Sequence, residues 1–334
     1  MLRRKSIAGT GLAGVGLLVT AWALFGAAPA PAPAGDHFAV SHDGLKIHYE
    51  TEGDGVPMVL IAGGPGSSAD ALKFTHRLLR GCARLVFVDN RGRGKSDAPK
   101  QPSDYTLEND VKDVEAVRRD LGAEKIIVYG HSYGSMVAYS YALAHPDRTM
   151  AVITTGGTQG AKVWQERNID MIKIILERQY PKIWARIVEL HEHGRLTGDP
   201  EVQKLLGDLD VYHYNPEAPW RLFPQFPNPG ERTNFYNVNV YLAMAGPDPE
   251  WVMGGTLKNV ELLPQLSKIT APALIMGGRH DVITPVLNQI EISDAIPHAK
   301  LVIFEQSAHL PFEDEPLRFL NVVEDFIADV VKGS

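Results

Sequence analysis

The chain has 334 residues, a net charge of −7, 44% hydrophobic and 22% charged residues, and a single cysteine, Cys82. That is the composition of an ordinary globular protein, large enough for one big domain or two small ones. The acidic balance, with no basic block beyond the extreme N-terminus, argues against nucleic acid as a partner. One cysteine allows no intramolecular disulfide, so stability must come from the core.

The N-terminus stands apart. Leu2-Arg3-Arg4-Lys5 precedes an uncharged stretch from Ile7 to Ala30, which ends in small-residue sites such as Ala28-Pro29-Ala30 and Ala32-Pro33-Ala34. This is the pattern of a bacterial-type secretory signal over residues 1–34, which predicts a secreted or periplasmic protein. Arg3-Arg4 is compatible with twin-arginine export. The alternative is a retained membrane anchor, since about 20 apolar residues can span a bilayer. Cleavage removes three positive charges and no negative ones, taking the net charge from −7 to −10.

From residue 37 the elements alternate. Asp43-Gly44, flanked by alternating apolar residues, predicts a hairpin. Val56–Ala62 is an apolar run suited to a buried strand, and it ends in Gly63-Gly64-Pro65-Gly66. An amphipathic stretch from Ala69 to Leu79, a strand at 84–89 and a helix over 106–121 follow. Then come a strand in the apolar run Ile126-Ile127-Val128-Tyr129, a helix running to His145-Pro146, and a strand at 150–155. Strands alternating with helices predict an α/β fold with a mostly parallel sheet and helices on both faces. After Gly157 the alternation stops for about 100 residues, too long for a loop. This interval holds four of the five tryptophans (Trp164, Trp184, Trp220, Trp251), helical patterns at 163–179, 182–193 and 232–245, and an aromatic, proline-rich stretch at 211–229. The expected organisation is a core over 35–157, a helical lid over 158–262, and the rest of the core over 263–334. The second core part holds strands at 273–276 and 300–304 and helices at 285–296 and 315–331.

The chemistry centres on Gly130-His131-Ser132-Tyr133-Gly134. A strand, G-x-S-x-G and a small-residue helix form the setting of a nucleophile elbow, which lifts a serine above the sheet at a helix N-terminus. A serine there needs a base and an acid, in the chain order Ser, acid, His. Asp281 follows the strand at 273–276 and His309 follows the strand at 300–304, so both fall at the sheet edge where ligand sites lie. The predicted catalytic residues are therefore Ser132, Asp281 and His309, with His280, Asp294 and Glu305 as weaker rivals. The N–H of Tyr133 and the backbone of Gly64 are the expected oxyanion donors. Asp89–Ser96 fails as a phosphate loop, because Asp stands where the first Gly is required and Asp97-Ala98-Pro99 follows. His191 and His193, two apart on a helix, point apart and read as a solvated helix end. No metal or cofactor is expected, and Cys82 reads as structural.

These motifs together resemble α/β-hydrolases of the proline iminopeptidase (prolyl aminopeptidase) group over nearly all of 37–330. Ala62-Gly63-Gly64-Pro65-Gly66 is similar to that group's H-G-G-P-G, and Asp89–Ser96 to its D-Q-R-G-x-G-x-S. Gly277–Asp281 and Ser307–His309 match its acid and histidine regions. Ala245-Gly246-Pro247-Asp248-Pro249-Glu250-Trp251, followed by Gly255-Thr256-Leu257-Lys258, resembles its G-P-x-E-F…G-x-[IL]-K. The resemblance implies an α/β-hydrolase fold with a helical lid, and a serine hydrolase releasing an N-terminal residue, preferably proline, from short peptides. It makes Glu250 the carboxylate for the substrate α-amine and puts Gly63 and Trp251 among the substrate contacts. Ala62 replaces the group's His, His131 and Tyr133 replace Gly and Trp of G-G-S-W-G, and one extra residue lies beside Glu250. These departures leave two other readings: an esterase or amidase on small hydrophobic acyl substrates, or a ligand-binding homologue without useful turnover. Oligomeric state is left open.

Overall fold

The computed structural model describes residues 35–214 and 236–333. The expectations for 1–34, most of the aromatic stretch, Trp220 and the start of the 232–245 segment lie outside them.

Eight strands form one sheet in the order β1-β2-β4-β3-β5-β6-β7-β8. The hairpin at Asp43-Gly44 joins β1 (Gly35–Val40) to β2 (Lys46–Glu52), and β2 also pairs antiparallel with β4 (Arg84–Val88). All other neighbours are parallel: β4 with β3 (Pro57–Ile61), then β5 (Ile126–His131), β6 (Thr149–Thr155), β7 (Ala273–Gly278) and β8 (Ala299–Phe304). The uninterrupted apolar runs become central strands, and every residue of β4, β5 and β7 is buried.

The two-residue period of a strand divides these runs between two cores. Val59, Ile61, Val86, Ile126 and Val128 face one core, which the helices Leu107–Asp120 and Tyr133–Ala144 cover. Met58, Leu60, Phe87, Ile127 and Tyr129 face the other, under the helices Asp70–His76 and Pro316–Gly333. Helix Leu107–Asp120 starts where Thr106 accepts the Asn109 N–H, and Gly122, at φ 63°, follows its end.

The insertion between β6 and β7 begins with a helical turn, Ala161–Val163, and a π-helical turn, Trp164–Asn168. These run into the helix Ile169–Gln179. Helices Pro181–Glu192, Pro200–Gly207 and Val238–Ala245 follow. Leu176, Ile187 and Leu209 give this part a small apolar cluster of its own. Helix Pro200–Gly207 adds to the predicted elements. Its signal was present in Asp199-Pro200, where Asp199 caps the Glu201 N–H and Pro occupies the first turn. His193 is exposed as expected, whereas His191 is only half-exposed: its ring stacks on Trp251 at 3.9 Å and its Nε2 lies 2.8 Å from Asp248.

Candidate active site

Ser132 sits between β5 and the helix Tyr133–Ala144 at φ 52°, ψ −120°, the only positive φ of a non-glycine residue among the described residues. Such a conformation costs about 1–3 kcal/mol and persists only where the surroundings impose it. They do so through close approach. A Cβ on Gly130 would stand 2.1 Å from the Gly134 carbonyl oxygen, and one on Gly134 would stand 2.3 Å from that of Ile61. Strand and helix can therefore meet only with glycine at both positions. The neighbouring loop also comes close, since a Cβ on Gly63 would lie 2.8 Å from the Ser132 Cβ.

Asp281 and His309, 28 residues apart, come together at the ends of β7 and β8, with His309 Nδ1 2.8 Å from Asp281 Oδ2. Both are buried. Asp281 also accepts the N–H groups of Ile283 and Thr284 and the Thr284 hydroxyl, at 2.8–2.9 Å. A carboxylate that accepts at every contact assigns the His309 proton to Nδ1 and leaves Nε2 as an acceptor. The His309 backbone N–H donates to Tyr212 O at 2.9 Å, so the insertion also holds this histidine.

Ser132 is brought to the same edge by its neighbours. Its N–H donates to Thr155 O, at the end of β6. The adjoining His131 packs its ring 4.8 Å from that of His309, with Nε2 3.2 Å from the His309 carbonyl. Burial, and then His309 itself, push the His131 imidazole well below its usual range, so it stays neutral. The rivals are engaged elsewhere. His280 is exposed and stacks on Tyr214, Glu305 pairs with Arg279, and Asp294 lies within the helix Val286–Ala295.

Gly64 takes φ 40° in a turn where its carbonyl accepts the Ser67 N–H. Tyr236 covers it, and Tyr236 bridges Ser67 in a short antiparallel contact. The Tyr133 backbone starts the helix, while its side-chain hydroxyl turns inward to Asp110 at 2.7 Å.

Glu250 is held by the Thr197 hydroxyl and, at 3.4 Å, by the hydroxyl of Tyr241. Among the described residues no Lys, Arg or His pairs with it. Desolvation raises its pKa, opposed by the Thr197 hydrogen bond. Its charge acts on the hydroxyls of Tyr212, Tyr236 and Tyr241. Tyr212 and Tyr236 keep 45% and 39% of their surface open. Tyr212 leads to His309, 6.0 Å between rings, and Tyr236 leads to Gly64. Trp251 is not brought to this group; it stacks between His191 and Trp184 inside the insertion.

The tyrosines and Thr284 went unassigned in the sequence. Thr284 had a local signal, because Asp-x-x-Thr spacing suits a side-chain-to-backbone turn. The tyrosines had none beyond aromatic composition. The Asp89–Ser96 loop is structural: Asp89 accepts from the N–H groups of Ala69 and Lys95 and contacts His48. Asp36, His48 and Glu50 bring their polar atoms within 4.8 Å of one another, and the Lys95 ammonium lies 2.8 Å from Asp36 and 3.7 Å from Glu50 and supplies a cation there.

Residues 56–316 match the family described as alpha/beta hydrolase fold. A proline iminopeptidase of Saccharolobus solfataricus is 31% identical over 293 residues, spanning 86% of this chain and 90% of that protein. Among solved structures, VinJ superposes with a TM-score of 0.74 at 24% identity, over 90% of this chain and 99% of its own. Proline iminopeptidase from Mycobacterium smegmatis superposes with a TM-score of 0.71 at 21% identity, over 89% of this chain and 98% of its own. The sheet order, the strained serine and these likenesses agree: the chain belongs to the alpha/beta hydrolase fold family, as a serine hydrolase related to the proline iminopeptidases.

Proposed function

We propose that the protein is an aminopeptidase that releases an N-terminal residue, preferably proline, from short peptides through an acyl-enzyme. Ser132 Oγ attacks the carbonyl carbon of the first residue while His309 Nε2 takes its proton. The tetrahedral oxyanion is held by the N–H groups of Tyr133 and Gly64. His309 then gives the proton to the leaving amine, and the ester on Ser132 is cleaved by a water that His309 deprotonates. Asp281 keeps the proton on Nδ1 and stabilises the imidazolium.

The observation that supports a free-amine substrate is Glu250. Its carboxyl is desolvated among three tyrosines, and no described residue supplies a cation. An isolated buried carboxylate is costly unless paired, and a substrate ammonium would pair with it. The rings of Tyr236 and Tyr241, 5.8 Å apart beside this carboxyl, offer apolar surface of the kind that the flat ring of proline would meet. A second reading, an esterase on small acyl substrates, draws on the same carboxyl: the Thr197 and Tyr241 hydroxyls already donate to its two oxygens, without any amine. Turnover of prolyl and other aminoacyl arylamides beside simple p-nitrophenyl esters decides between them. Preference for the arylamides supports the aminopeptidase, and turnover of esters alone overturns it. Residues 1–34 are proposed to direct the protein out of the cytoplasm.

A further inference from the structure

Two backbone N–H groups of an oxyanion hole must keep their spacing to a fraction of an ångström, although here they belong to different segments. The Gly63–Gly66 loop leaves β3, and Tyr133 opens the helix after β5. One buried ion pair reaches both. Arg93 and Asp110 are almost wholly inaccessible and meet through two parallel contacts, at 2.8 and 2.9 Å. Arg93 Nε donates to Pro65 O at 2.5 Å, next to Gly64. Asp110 Oδ2 accepts the Tyr133 hydroxyl at 2.7 Å.

The remaining guanidinium donors go to Arg91 O at 2.9 Å and to Met244 Sδ of the insertion at 3.1 Å. All five N–H groups of Arg93 are therefore engaged in a fixed fork. The insertion joins the same anchor at Asn237, whose N–H donates to Gly66 O and whose side-chain amide donates to Gly92 O.

The geometry points to Arg93 and Asp110 as positioning residues that fix the separation of the Gly64 and Tyr133 oxyanion donors, the Tyr133 side chain being the link between the pair and its own backbone N–H. This rests on Ser132 as the nucleophile but not on the identity of the substrate. A buried pair is an uncertain source of stability against apolar replacements, whereas its fixed directions serve geometry. Loosening it should act on the transition state, where the oxyanion exists, and spare ground-state binding.

The test uses Tyr133→Phe, which removes one hydroxyl and leaves the ion pair intact, and Arg93→Lys, which keeps the charge beside Asp110 but not the fork. Wild type and variants are compared for kcat and KM on a substrate the wild type cleaves, for affinity toward a matching trifluoromethyl ketone that forms a tetrahedral adduct, and for thermal midpoint. Loss of a whole oxyanion donor costs about 10²–10³ in kcat, so misplacement should cost about tenfold or more. The expected pattern in both variants is a lower kcat, a nearly unchanged KM, and ketone affinity falling in parallel with kcat. Unchanged kcat and ketone affinity in folded Tyr133→Phe overturn the inference, as does a loss confined to the thermal midpoint or to KM. Fluorophosphonate labelling of wild-type Ser132 is run alongside. Its absence would remove the nucleophile itself, a result distinct from a labelled enzyme whose variants behave as wild type.

Discussion

Asp281 Oδ2 lies 2.8 Å from His309 Nδ1 and accepts the Thr284 hydroxyl at the same distance, so a single carboxylate oxygen orients the imidazole and is itself oriented. Residues acting as one unit lose function together. Asp281→Asn and His309→Ala should each lower kcat by about 10³–10⁴, and the double variant should be little worse than the single ones. Independent, additive losses in steady-state kinetics would show that these two residues are not paired in the reaction.

Glu250 should separate substrates by their amine. Glu250→Gln keeps the shape and removes the charge, so kcat/KM on free-amine arylamides should fall by about ten- to a hundredfold, the equivalent of about 1.5–3 kcal/mol for a charge-assisted hydrogen bond. Turnover of a p-nitrophenyl ester without an amine should stay near the wild-type rate. Equal losses on both substrates would mean that Glu250 only supports the insertion.

The raised pKa of Glu250 gives this prediction a pH dependence. Only the ionised carboxyl pairs with an ammonium, so kcat/KM on arylamides should decline as pH falls through that raised value, while the ester profile lacks this limb. Stability should run the other way. An acid whose pKa is higher in the folded protein destabilises it above the unfolded value, and the penalty vanishes below that value. Ligand-free Glu250→Gln should therefore unfold at the same temperature as wild type or a higher one at neutral pH, with no advantage below about pH 4. A wild-type protein that is clearly the more stable at neutral pH would contradict this.

His213 ties the insertion to the short helix Pro311–Asp314, which begins two residues after His309. It lies 2.9 Å from both Asp210 and Glu313, and despite burial these two acids raise its pKa to about 10. Its stabilising effect is complete below the ordinary histidine value of about 6.5 and fades as pH rises toward about 10. His213→Ala should lower the urea midpoint at pH 6 and lower it less at pH 9. A pH-independent deficit would mean that charge is not what His213 contributes.

The sequence made the elbow readable because its parts are contiguous: the run Ile126–His131, the paired glycines and the small-residue helix. The meeting of Asp281 and His309 was readable because each lies in the loop that follows an apolar strand. The Arg93 network was hidden, since its partners Asp110, Tyr133 and Pro65 sit on three other elements and no periodicity reveals which buried charges meet. The ring neighbours of Trp251 were hidden for a similar reason. Composition marks an aromatic as buried or stacked but not which rings it meets, and here they are His191 and Trp184.

The proposal that residues 1–34 form an export signal is tested on the natively produced protein. N-terminal sequencing should return a start near Gly35 in material from outside the cytoplasm. A start at Met1 or Leu2 would instead support a retained anchor.

The central claim is that the strained Ser132 is the nucleophile. The direct measurement is intact-protein and peptide mass spectrometry after a fluorophosphonate, paired with turnover by Ser132→Ala. The account predicts one adduct per chain, located on Ser132, and a folded Ser132→Ala protein that is neither labelled nor active. Turnover at the wild-type rate by folded Ser132→Ala, or a stoichiometric adduct on another residue, would contradict it.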